Sequence, residues 1–163
     1  MTPIVKKEAA FGDYWGGGWP DISVVERGLS DPEKLAQLFA KGQDGGCFSI
    51  EWIYDKNNST PQSELVGVTL YMHMNPDHGI KLQYSKWDGR IGEKKTYHSK
   101  GDLTRLKQFV RSFHRTRLSI GLFVPFEIGC KAVKEFLVTN GDLPRSINWV
   151  SEDDLSSAVF PLP

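Results

Sequence analysis

The chain of 163 residues holds only two cysteines, Cys47 and Cys130, with no third cysteine near either. That excludes a disulfide-stapled secreted scaffold and a cysteine-rich zinc module. Both thiols sit in apolar segments, as buried cysteines of a reducing compartment do. No stretch reaches the roughly 18 apolar residues a membrane helix needs. Met1 to Phe11 carries no apolar signal-like run, so the expected location is cytoplasmic. An excess of charge is missing too, because 20 Lys and Arg balance 20 Asp and Glu. A strongly basic nucleic-acid binder or an acidic mimic of DNA lacks that balance. No Gly-x-Ser-x-Gly elbow is present. Gly16 to Gly18 lacks the following Lys-Ser or Lys-Thr, and the helix start, of a phosphate loop.

Aromatics, by contrast, are plentiful: five Trp, five Tyr and nine Phe. That exceeds what a small core needs and leaves aromatic surface for a partner. The length suits a single domain over 1–163. Within it, 1–29 is a Gly/Trp-rich segment, 30–150 an α+β core and 151–163 a tail. The block Gly12 to Pro20, GDYWGGGWP, reads as a loop presenting Trp15 and Trp19, since three consecutive glycines disfavour helix and strand. Ser30, Asp31 and Pro32 open a helix in which Leu35, Leu38 and Phe39 share a face, with Gly42 as its stop.

From residue 46 the period becomes two. Phe48, Ile50, Trp52 and Tyr54 alternate with other residues, then Val66, Val68, Leu70 and Met72, then Ile80, Leu82 and Tyr84. A return strand follows over 90–97. Asn75, Pro76, Asp77 and Gly79 break the second strand from the third. Asp88-Gly89 reads as a two-residue hairpin turn. Leu103, Leu106, Phe109, Val110 and Phe113 fit a helix capped by Asp102. Residues 118–124 fit a short strand. Pro125 opens another helix, with Ile128, Ala132, Val133, Phe136 and Leu137 inward and Asn140-Gly141 as its stop. Ile147, Trp149 and Val150 fit a last strand, and the end after Leu155 a frayed or lightly docked tail. The expectation is an α+β fold: an antiparallel meander of about four to six strands, with two or three helices packed mainly on one face.

Four features bear on function. His73, Asp77 and His78 in MHMNPDH are the best metal candidates, and the basis for a small His-dependent enzyme. Too few further His or Cys residues complete a zinc site, so no cofactor or metal is expected. The basic run Lys107, Arg111, His114, Arg115 and Arg117 suits either a solvated face or a nucleic-acid-binding accessory domain. Cys130 falls on the inward half of a helix, where a thiol acts as a small hydrophobe rather than a nucleophile. Trp15, Trp19, Trp87 and Tyr97 fall in loops or near strand ends, where aromatics either cap core edges or anchor interfaces.

Residues 122–149, LFVPFEIGCKAVKEFLVTNGDLPRSINW, resemble the end of the first-numbered Imm family of bacterial immunity proteins from polymorphic toxin systems. The matching elements are Val124-Pro125 entering a helix, Phe136-Leu137 near its end, Thr139 to Gly141, then Pro144 and Trp149. Asn140 and Asp142 lengthen the turn beyond the family pattern, and the GDYWGGGWP segment is longer than a minimal member needs. The resemblance implies a non-enzymatic, stoichiometric inhibitor, monomeric in a one-to-one complex with a cognate toxin domain. It implies no direct contact with nucleic acid or membrane. Toxins partnered with such proteins are often deaminases acting on nucleic acid. A groove that accepts a polyanion carries positive charge. Acidic groups at Asp13, Asp55, Asp88, Glu93, Glu152, Asp153 and Asp154 are therefore the expected partner contacts, together with Trp15, Trp19 and Trp87.

Overall fold

The computed structural model describes residues 4–11 and 47–55 as backbone, and residues 66–112 and 115–162 with their side chains. Its main sheet is antiparallel and follows chain order through β1 (Ile4–Phe11), β2 (Cys47–Asp55), β3 (Val66–Asn75), β4 (Gly79–Asp88) and β5 (Glu93–Ser99). β9 (Trp149–Ser151) pairs with β5, placing Trp149 opposite Ser99 and Ser151 opposite Tyr97. A second, two-stranded sheet joins β6 (Phe109–Arg111) to β7 (Arg117–Ser119). The two-residue strand β8 (Phe123–Val124) pairs with the start of β4.

The meander follows from period two. On one face of the sheet Val68, Leu70 and Met72 of β3 lie beside Ile80, Leu82 and Tyr84 of β4, all buried. One α-helix occurs among the described residues, α1 (Phe126–Val138), and it covers that face. It buries Gly129, Cys130, Ala132, Val133, Phe136 and Leu137. Burying Val133, Phe136 and Leu137 contributes about 1.5–3 kcal/mol each. Gly129 sets how closely the helix lies, because a Cβ there would come 1.9 Å from Ile80 Cγ2. This differs from the sequence reading at Ile128, which is 46% exposed. The helix turns its glycine, not the isoleucine beside it, onto the sheet. Asn140 and Gly141 stop the helix as expected, both at positive φ, and Gly141 N–H donates to the Phe136 carbonyl.

β4 changes partner along one edge. From Gln83 onward it pairs with β5, and at Ile80 and Lys81 with β8. The Ser99 hydroxyl fills the junction: it accepts from Leu82 N–H (2.9 Å) and donates to the Leu122 carbonyl (2.6 Å), fully buried.

Other expectations need correction. The helix expected over 103–113 is a short 3-10 turn (Leu103–Arg105) followed by β6. Long-range bonds take the groups a helix needs: Ile120 N–H donates to the Gln108 carbonyl, and the Ser119 hydroxyl to that of Leu106. The strand expected over 118–124 is split by a 3-10 turn at Ile120–Leu122. The β4–β5 turn holds four residues rather than two; Asp88 pairs with Glu93, and Gly92, not Gly89, takes positive φ. β1 carries no clear period and was not expected. Of the two readings of the tail, frayed or docked, the docked one holds: Val159 is buried and the Phe160 ring lies 4.9 Å from that of His98. The helix expected from Ser30 lies outside the described residues.

Candidate functional site

The β4–β5 hairpin presents its two faces to different surroundings. At its tip Trp87 is 43% exposed and Ile91 65% exposed. In register Trp87 lies between Gly67 of β3 and Lys94 of β5. The turn is stiffened by Asp88, which accepts from Arg90 N–H (3.1 Å), Nε (2.9 Å) and Nη2 (2.6 Å). The Arg90 bond holds the Asp88 carboxyl at about 2, below the usual carboxylate range. Asp88 is thus an internal turn brace, and the tip offers a partner the apolar Trp87 and Ile91 beside the exposed Arg90, Glu93 and Lys94.

The other face of the hairpin, on the helix side, opens into a groove of about 910 Å³. Tyr84, Tyr97 and Trp149 line it, with Lys86 and Lys95 at the sheet end and Arg145 on the far wall. Lys86 stands directly opposite Lys95. The wall is loop 139–147, fixed by side chains from three elements. Glu135 of α1 accepts from Arg145 N–H (2.8 Å) and Ser146 N–H (2.9 Å), and these bonds lower its pKa. Tyr84 Oη donates to the Gly141 carbonyl (3.0 Å), and Trp149 Nε1 to that of Pro144 (2.7 Å).

The face of the sheet away from α1 is polar. Lys81 and His98 are buried there, at 4% and 1% exposure. His98 Nε2 donates to Glu152 Oε2 at 2.8 Å, while His98 Nδ1 is buried without a hydrogen-bond partner. Burial, then the charge of Lys81, push the His98 pKa down to about 4 against the opposing pull of Glu152.

The residues expected from sequence to meet a partner therefore separate. Trp87, Asp88 and Glu93 come together at the hairpin. Glu152, Asp153 and Asp154 form a 3-10 turn beside β5. Tyr97, opposite the end of β9, lies four positions along β5 from Glu93 at the tip, about 13 Å of strand. Glu152 anchors to His98, which leaves Glu93, Asp153 and Asp154 as acids without such bonds among the described residues. Asp55 ends β2 opposite Ile4, its side chain outside the described residues, as are Asp13, Trp15 and Trp19 altogether. His73 sits in β3 opposite Lys81, while Asp77 and His78 lie in the 76–78 turn, with the His78 ring 6.1 Å from that of Phe123. Among the described residues no three His, Cys, Asp or Glu side chains are grouped to hold a metal ion. Cys130 is buried, and burial raises its thiol pKa to about 11, the opposite of an activated nucleophile. No helix among the described residues is long and apolar enough to cross a membrane.

The residues that carry the family resemblance act in packing. Pro125 precedes α1, Phe136 and Leu137 fill the core, Asn140 and Gly141 turn the chain, and Trp149 bonds Pro144. The groove itself was missed from sequence, since Lys86, Lys95 and Arg145 share no motif. No family model, curated protein or solved structure matches the chain.

Proposed function

We propose that the chain is a toxin-neutralising immunity protein that acts by stoichiometric binding, with the β4–β5 hairpin as its contact element. The observation that carries this is the exposed pair Trp87 and Ile91 on a turn braced by Asp88 and Arg90. A large aromatic on a rigid support buries area at a partner with little loss of conformational freedom. The resemblance of residues 122–149 to bacterial immunity proteins supports the reading, and it names a nucleic-acid-targeting toxin such as a deaminase as the partner class. Co-expression with the product of the adjacent reading frame tests it. Growth rescue and one-to-one co-purification are expected. Trp87→Ala should keep the fold and weaken the complex. Failure to rescue growth against any neighbouring product refutes the reading.

One observation favours a second reading, nucleic-acid binding. Arg111 stands opposite Arg117 across the β6–β7 hairpin, with Lys107 and Arg115 exposed nearby. A salt-sensitive mobility shift with single-stranded DNA, lost on Arg111→Gln with Arg117→Gln, would select it.

A further inference from the structure

We infer that the groove between the β4–β5 hairpin and loop 139–147 is a docking site for an acidic peptide segment of a protein partner, with apolar residues interleaved among its carboxylates. Three observations converge. Lys86 and Lys95 are directly opposed across the ladder, an arrangement that is destabilising unless an anion offsets it. Neither lysine, nor the Arg145 guanidinium across the groove, has an ion-pair partner among the described residues. The acids nearby offset that charge only in part and without direct contact: Asp88, which feels the charge of Lys86, is held by Arg90, and Glu135, which feels that of Arg145, turns both oxygens to backbone N–H groups. Among the described residues Asp142, on the same wall, and Glu93, two positions before Lys95 on the same face of β5, stand without such bonds.

The wall is also prepared in advance. Glu135, Tyr84 and Trp149 hold the Gly141–Ser146 backbone with four hydrogen bonds, so docking need not order it. Between the cations the floor is half-buried aromatic surface, from Tyr97 and Trp149. Carboxylates suit the cationic rim, the Arg145 fork especially, and apolar side chains suit the floor. An extended chain meets both demands because alternate side chains point in opposite directions. The breadth of the groove favours such a chain over an enclosed small molecule. The inference stands apart from the toxin-neutralising reading, since it concerns the groove face of the hairpin and any partner bearing such a segment.

Fluorescence anisotropy with a labelled peptide of alternating glutamate and leucine tests it without any toxin. A glutamine–leucine peptide and a labelled oligothymidylate serve as comparison probes. The acidic peptide should bind saturably, and at least about tenfold more tightly than the glutamine version. Lys86→Gln with Lys95→Gln should weaken it about tenfold, and Arg145→Gln about fivefold or more. Lys94→Gln, on the opposite face of β5, should leave it unchanged. Circular dichroism spectra matching the wild type show that the exposed substitutions spare the fold. Absent binding, equal binding of the glutamine peptide, indifference to the groove substitutions, or preference for oligothymidylate each overturns the proposal.

Discussion

At the scale of single residues, several side chains hold backbone rather than meet solvent. Ser99 is one: it supplies the acceptor for Leu82 N–H and the donor for the Leu122 carbonyl where β4 exchanges β5 for β8. Ser99→Ala leaves both groups buried without that partner and should lower stability by about 2–4 kcal/mol, measured by urea unfolding. His98 makes stability depend on pH. Its folded pKa, about 4, lies below the ordinary histidine value of 6.5, so the unfolded chain takes up the proton first. The charged groups shown acting on it are Lys81 and Glu152. Stability from this residue is present above about pH 6.5 and is lost as pH falls toward 4, about 3 kcal/mol in all. Urea midpoints across that range should fall for the wild type and flatten for His98→Gln. A residue's chemical type alone concealed such roles: Glu152 and Asp88 look like surface acids in the sequence, yet one bonds a buried imidazole and the other braces a turn.

Elements were legible where the local pattern and the tertiary contacts agreed. The meander of β2 to β5 rests on the alternation of its strands and forms in the order read, with its last turn two residues longer than expected. The second half of α1 has a core stripe and an Asn-Gly stop, and it too forms as read. The segment 103–113 was not legible, because its apolar spacing suits a helix while Ile120 and Ser119 claim the carbonyls of Gln108 and Leu106. Its hairpin also places Arg115 at φ 61°, a conformation costly for a residue with a Cβ. Arg115→Gly should therefore raise the melting midpoint, by the equivalent of about 0.5–1 kcal/mol in calorimetry. The groove was hidden by one turn. A two-residue Asp88-Gly89 turn would set Trp87 opposite Arg90 and Lys86 opposite Ile91. The observed four-residue turn instead sets Lys86 opposite Lys95 and creates the cationic rim.

Across the whole molecule, the β4–β5 hairpin is the common part. Its inner half is core, with Leu82 and Tyr84 under α1. Its outer half carries the exposed Trp87 and Ile91 on the tip and the lysine pair toward the groove. Such a division suits a protein whose stable sheet carries a contact surface, because substitutions at the tip are decoupled from the core. Ile91→Ser, at a side chain 65% exposed, should change stability by less than about 0.5 kcal/mol while weakening the partner complex. The most direct measurement is calorimetric titration of the purified chain with the product of the adjacent reading frame, the proposed partner, for the wild type and Trp87→Ala. One-to-one saturable binding, weakened at least about tenfold by the substitution, is expected. Absence of binding by the wild type, or equal affinity in the Trp87→Ala protein, would contradict it.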